Sequence, residues 1–131
     1  MKKIILTELQ RQILLEHAEK ERPNESCAIL FGSEIKENIK VRRIFLTQNI
    51  EKSPVNFTIS AEQRLEADRI EKETGLKIIS IFHSHPNSEA IPSSTDKKFM
   101  ELNPAVWIIF SGPTKEFKAF TLEEEIPIEV E

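Results

Sequence analysis

Lys77-Ile78-Ile79-Ser80-Ile81-Phe82-His83-Ser84-His85 is an apolar stretch of strand length that ends in two histidines at alternate positions. Pro86 breaks it and a polar loop follows, so it reads as a central β-strand with a defined C-terminal end. Side chains at i and i+2 of a strand project from one face. His83 and His85 can therefore converge on a single ion if this strand end opens into a cleft.

The flanking segments alternate between helix and strand signals. Upstream, Cys27-Ala28-Ile29-Leu30-Phe31, within residues 26–32, is uniformly apolar and too short for a typical helix, which suits a strand buried on both faces. Residues 39–46 give a further strand and Ile4, Ile5 and Leu6 a short first one. Thr7-Glu8-Leu9-Gln10 has capping-box spacing and starts a helix that Pro23 closes, with Leu9, Ile13, Leu14 and His17 on the face expected to meet the sheet. Ser60-Ala61-Glu62-Gln63 repeats the capping signal, Leu65 and Ile70 supply apolar contacts, and Gly75 stands at the C-cap.

Downstream, Ser93-Ser94-Thr95-Asp96 is rich in N-capping residues and starts a third helix, with Asp96 in its first turn. Residues 105–110 form another apolar strand, Gly112-Pro113 a turn, and residues 117–122 an alternating strand that finishes the sheet. The fold class expected is α/β: one domain over residues 1–131, with a mixed central sheet flanked by helices.

Composition narrows the function. The 131 residues are 39% hydrophobic and 31% charged, the balance of a globular domain with one core. A net charge of −4 with Lys and Arg dispersed gives no basic stripe, so nucleic acid is excluded as a partner. Thr7-Glu8 cuts short the apolar run that follows Met1-Lys2-Lys3, which argues against a signal peptide and against a membrane span. A single cysteine, Cys27, forms no internal disulfide and reads as a buried hydrophobe, and a cytoplasmic location is the expectation. All but Asp68 and Asp96 of the acidic residues are glutamate, a bias that leans towards a thermophilic source.

The chemistry lies in His83-Ser84-His85, followed after seven residues by Ser93 and after two more by Asp96. Two imidazoles and a carboxylate suit Zn²⁺ with a fourth position left for water. Something must then take the water's proton and return it to the leaving amine, and Glu25, just ahead of the apolar strand, is placed to reach the site. Ser93 offers a hydroxyl to a developing oxyanion, although its simpler reading is a helix cap. His17 is assigned to packing, and the Glu123-Glu124-Glu125 run to a solvated loop.

These residues make the chain resemble the JAMM/MPN-plus metallopeptidases, whose pattern is Glu, then far downstream His-x-His-x(7)-Ser-x(2)-Asp. The resemblance runs from the first helix to the strand after Asp96 and includes the Glu25 to Gly32 block; one departure is Ala28, where family members commonly carry glycine. It implies the JAMM/MPN fold, a cytidine-deaminase-like architecture, although the His-x-Glu and Pro-Cys-x-x-Cys signature of the zinc deaminases is absent. It also implies zinc on His83, His85 and Asp96, with Glu25 as general base and acid and Ser93 assisting the tetrahedral intermediate.

The implied activity is cleavage after the C-terminal Gly-Gly of ubiquitin-like modifiers and their conjugates. The alternatives are trimming of a Gly-Gly-tailed sulfur-carrier protein, or a non-catalytic MPN scaffold, and a homodimer is compatible with each. The resemblance further implies a minimal prokaryotic form, archaeal by expectation, in which residues 50–57, with Val55 among them, contribute to the edge that meets the substrate.

Overall fold

Successive side chains of the strands project to opposite faces of one mixed sheet, and its central strands are buried on both faces, in the computed structural model, which describes residues 2–131. The elements run β1 (Ile4–Leu6), α1 (Glu8–Glu21), β2 (Cys27–Ile35), β3 (Asn38–Thr47), α2 (Ala61–Thr74) and β4 (Lys77–His85). They continue with α3 (Ser94–Leu102), β5 (Val106–Ser111), β6 (Phe117–Phe120), β7 (Glu125–Ile126) and β8 (Ile128–Val130). The sheet order is β7-β6-β5-β4-β2-β3-β1-β8. Strand β4 pairs antiparallel with β2 and parallel with β5, so the histidine strand lies at the centre, as its apolar composition predicts.

Leu14 and Ala18 of α1 pack with Ala28, Leu30, Phe82, Ile108 and Phe110 on one face of the sheet, and the methyl of Ala28 sits inside that core. The other face carries Cys27, Ile29, Phe31 and Trp107, covered by Ala67 and Ile70 of α2, Met100 of α3 and Phe57 of the intervening loop. The three helix starts are capped as expected, by Thr7, Ser60 and Ser93. Gly75 ends α2 with φ 75°.

Three expectations need correction. The sheet does not finish at β6: β7 extends it on one edge and β8 pairs parallel with β1 on the other. Those two short strands are made by main-chain pairing at existing edges, which side-chain pattern does not announce. Leu9 is 70% and Leu65 65% exposed, because the buried stripes run through Leu14 and Ala18 in α1 and through Ala67 and Ile70 in α2. Each helix is rotated so that one alanine and one large aliphatic residue face the sheet.

Candidate metal centre

The C-terminal end of β4 is anchored from both sides. Cys27 of β2 lies opposite His83, and beyond it the Ser84 amide donates to the Ser26 carbonyl at 3.1 Å, while the Ser26 amide and hydroxyl both reach Ser84 Oγ at 2.8 and 2.9 Å. Continued by two residues, this register sets Glu25 across from His85. Just past the end of β5, Gly112 donates its amide to the His85 carbonyl at 2.9 Å. Only glycine allows that approach, since a Cβ at position 112 would lie 2.5 Å from the Pro86 carbonyl oxygen.

Helix α3 brings the carboxylate. Ser93 Oγ accepts from the Asp96 amide at 3.0 Å and Asp96 Oδ2 accepts from the Ser93 amide at 2.9 Å, a reciprocal capping box that orients the Asp96 side chain. That same Oδ2 lies 3.1 Å from Nε2 of His83 and 3.1 Å from Nε2 of His85, and the two nitrogens are 3.1 Å apart. His83, His85 and Asp96 are all buried, and among the described residues they are the one group of such side chains converging closely enough to hold a metal ion.

The triangle fits a tetrahedral ion. Ligands about 2.0–2.1 Å from a tetrahedral centre stand about 3.3 Å from one another, close to the spacing present. His85 Nδ1 lies 2.8 Å from the Glu89 carbonyl, which can only accept, so Nδ1 carries a proton, and in the neutral imidazole Nε2 turns its lone pair towards the cluster. Burial pushes the His83 imidazole below its ordinary value, against the pull of Asp96. Burial alone would lower His85, but its hydrogen bonds to Asp96 and Glu89 hold it above the usual histidine range. Burial alone would raise Asp96, and the hydrogen bonds of His83 and His85 hold it far below the usual carboxylate range. Asp96 is thus an ionised carboxylate facing two imidazole nitrogens, the donor set that a divalent cation takes.

Glu25 is 3% exposed, and its Oε1 is buried with no hydrogen-bond partner. Burial raises its carboxyl from an ordinary 4.5 to about 8, opposed by the charge of His85 and reinforced by those of Asp96 and Glu51. Ser93 is exposed and acts as a cap acceptor, which leaves its O–H able to donate. Cys27 is fully buried, accepts from Thr47 Oγ1 at 3.1 Å, and is raised to about 11 chiefly by burial. His17 binds the carbonyls of Cys27 and Thr47 through Nε2 at 3.0 and 3.2 Å, tying α1 to the sheet.

Sequence reasoning missed four contributors. Phe57 stacks on His83 with centroids 4.9 Å apart, and Trp107 meets the same ring edge-on at 5.8 Å. Phe57 thus faces the interior, whereas Val55, in the same segment, is 66% exposed. Glu89 acts through its carbonyl, for which no side-chain signal exists. Asn49 holds the loop beside Glu25, and its place at the end of a strand in a turn-rich stretch was the available clue. A groove of about 700 Å³ between α2 and α3 is lined in part by Phe57 and Trp107, and by none of His83, His85, Asp96 and Glu25.

Residues 7–123 match the family of prokaryotic homologs of the JAB domain. The chain is 36% identical over 101 residues to a desampylase of Pyrococcus furiosus, an alignment covering 77% of this chain and 69% of the relative. It is 31% identical over 98 residues to a CysO-cysteine peptidase of Mycobacterium bovis, covering 75% of this chain and 66% of the relative. A Desulfitobacterium hafniense protein solved in solution superposes with a TM-score of 0.86 at 30% identity over 98% of this chain and 92% of that one. A JAB1/MPN domain protein of Archaeoglobus fulgidus shares the fold, with a TM-score of 0.62 at 24% identity over 98% and 97% of the two chains.

Proposed function

Because the chain belongs to the family of prokaryotic homologs of the JAB domain, we propose that it is a zinc-dependent peptidase acting on small modifier proteins with a Gly-Gly tail. The observation that carries this reading is the 3.1 Å triangle of His83 Nε2, His85 Nε2 and Asp96 Oδ2 beside a buried, unpartnered Glu25 oxygen. His83, His85 and Asp96 would hold the ion, which supplies a Lewis acid for the scissile carbonyl and lowers the pKa of water.

Glu25 does the proton work. In its ionised form the carboxylate accepts the proton of an attacking water, and the upward push of burial on the carboxyl lets it hold that proton until it passes to the departing amine. Ser93 donates its hydroxyl to the carbonyl oxygen as charge develops there. The Gly-Gly tail, lacking side chains, can lie extended in a narrow approach to the centre. Likeness to a desampylase supports hydrolysis of a modifier conjugate, and likeness to a CysO-cysteine peptidase supports trimming of a sulfur-carrier protein as the second reading.

Glu25→Gln separates chemistry from metal binding. The variant is expected to retain about one zinc per chain by elemental analysis and to lose about 100- to 10,000-fold in kcat on a Gly-Gly-tailed modifier joined to a peptide lysine. Undiminished turnover would remove Glu25 from the mechanism. Wild-type protein purified without chelator that carries no zinc and cleaves neither a conjugate nor a sulfur-carrier precursor would instead be a scaffold.

A further inference from the structure

Every polar atom of one buried side chain near the site is used, and one of its bonds ends on the main chain of Glu25. Asn49, 6% exposed, donates from Nδ2 to the Glu25 carbonyl at 3.0 Å and to the Asn56 carbonyl at 2.9 Å. Its Oδ1 accepts the amides of Glu51 at 3.1 Å and Thr58 at 3.2 Å. The loop so gathered reaches back, because the Ser53 carbonyl accepts the Glu25 amide at 2.8 Å. The other side of that peptide unit is held by the Ser26 amide, which donates to Ser84 Oγ at 2.8 Å, whereas the buried Glu25 Oε1 has no partner that could steer the side chain.

We propose that Asn49 is a positioning residue for the reaction: it clamps the main chain of Glu25 so that the carboxylate is aimed at the metal-ligand cluster. The loop it organises also carries Phe57 onto the face of His83, so one asparagine registers the proton carrier against a ligand imidazole. A displacement of about 1 Å in a reacting group can cost about 100-fold in rate, which makes such a clamp consequential. The role rests on the reading of Glu25 as the base.

Asn49→Asp is the discriminating variant. It keeps acceptor oxygens for the amides of Glu51 and Thr58, so those two loop bonds remain, but it loses the Nδ2 donor to the carbonyls of Glu25 and Asn56. With zinc content and melting behaviour checked, N49D and N49A are both expected to lower kcat about 10- to 100-fold on the same modifier–peptide conjugate, with KM changed less than about twofold. In a Glu25→Asp background, where the carboxylate is already withdrawn, N49D is expected to cost less than about twofold more, the non-additivity of residues acting through one another.

Equal costs of N49D in both backgrounds, a change confined to KM, or a near wild-type N49D beside an impaired N49A would overturn the proposal. Turnover abolished in E25Q but untouched in N49D overturns the role of Asn49 alone. A fully active E25Q overturns the reading of Glu25 and this role with it.

Discussion

Glu25 holds a buried carboxylate oxygen without a partner because its backbone is tied by Ser53 and Asn49 while its side chain faces the centre. Such a group resists ionisation, and the consequence for stability has a definite sign. In metal-free protein Glu25 is protonated in both states below about 4.5, ionises only in the unfolded chain between 4.5 and about 8, and ionises in both states above that. Its contribution to folding therefore falls as pH rises from 4.5 to 8 and is constant beyond. Asp96, held low, and His83 and His85 bring slopes of their own, which E25Q shares apart from the part of the His85 shift that comes from the Glu25 charge. The urea stability of E25Q relative to wild type, both stripped of metal, is expected to climb from pH 5 to pH 8 and then level; a pH-independent difference would contradict the raised carboxyl.

At the level of elements, the centre depends on how closely main chains approach one another. A Cβ at Gly112 meets the Pro86 carbonyl oxygen at 2.5 Å, so the turn after β5 rests directly on the residue after His85. Gly112→Ala is expected to cost about 1–3 kcal/mol in urea unfolding and to weaken zinc binding in chelator competition, since the strain is released by shifting the histidine strand end. Gly75→Ala is the contrast: nothing lies within 4 Å of the added methyl, and only the φ of 75° is strained. It is expected to cost about 1–2 kcal/mol with zinc affinity unchanged. The elements themselves were largely legible, since capping at Thr7, Ser60 and Ser93 and the apolar runs of β2, β4 and β5 are local signals. β7 and β8 were not, because a two- and a three-residue strand exist only where an edge offers its hydrogen bonds.

For the whole molecule, zinc bound to the folded chain alone must stabilise it. At free zinc about 1,000-fold above Kd the gain is about 4 kcal/mol, so chelation is expected to lower the melting temperature by several degrees, restored by zinc. A melting temperature indifferent to chelator would argue against the centre. Among the described residues no helix is long and apolar enough to cross a membrane. Val55, 66% exposed in the loop that also carries Phe57, touches the fold little. Val55→Asp is therefore expected to leave stability within about 0.5 kcal/mol and to raise KM for the modifier conjugate. An unchanged KM would take this loop out of the substrate edge.

The candidate ligands His83, His85 and Asp96 were legible in the chain because period-two projection in a strand and the first turn of a capped helix are local geometry. Helix and strand signals, together with those spacings, by themselves determined an α/β domain with a metal-ligand pattern at one strand end. Only the tertiary structure decided that Glu25 faces His85, that Asn49 and Ser53 clamp it, and that Phe57 and Trp107 flank His83. Those relations follow from the register of β2 against β4 and from the path of a loop far away in sequence, which are set by packing between segments and leave no periodic trace in either one.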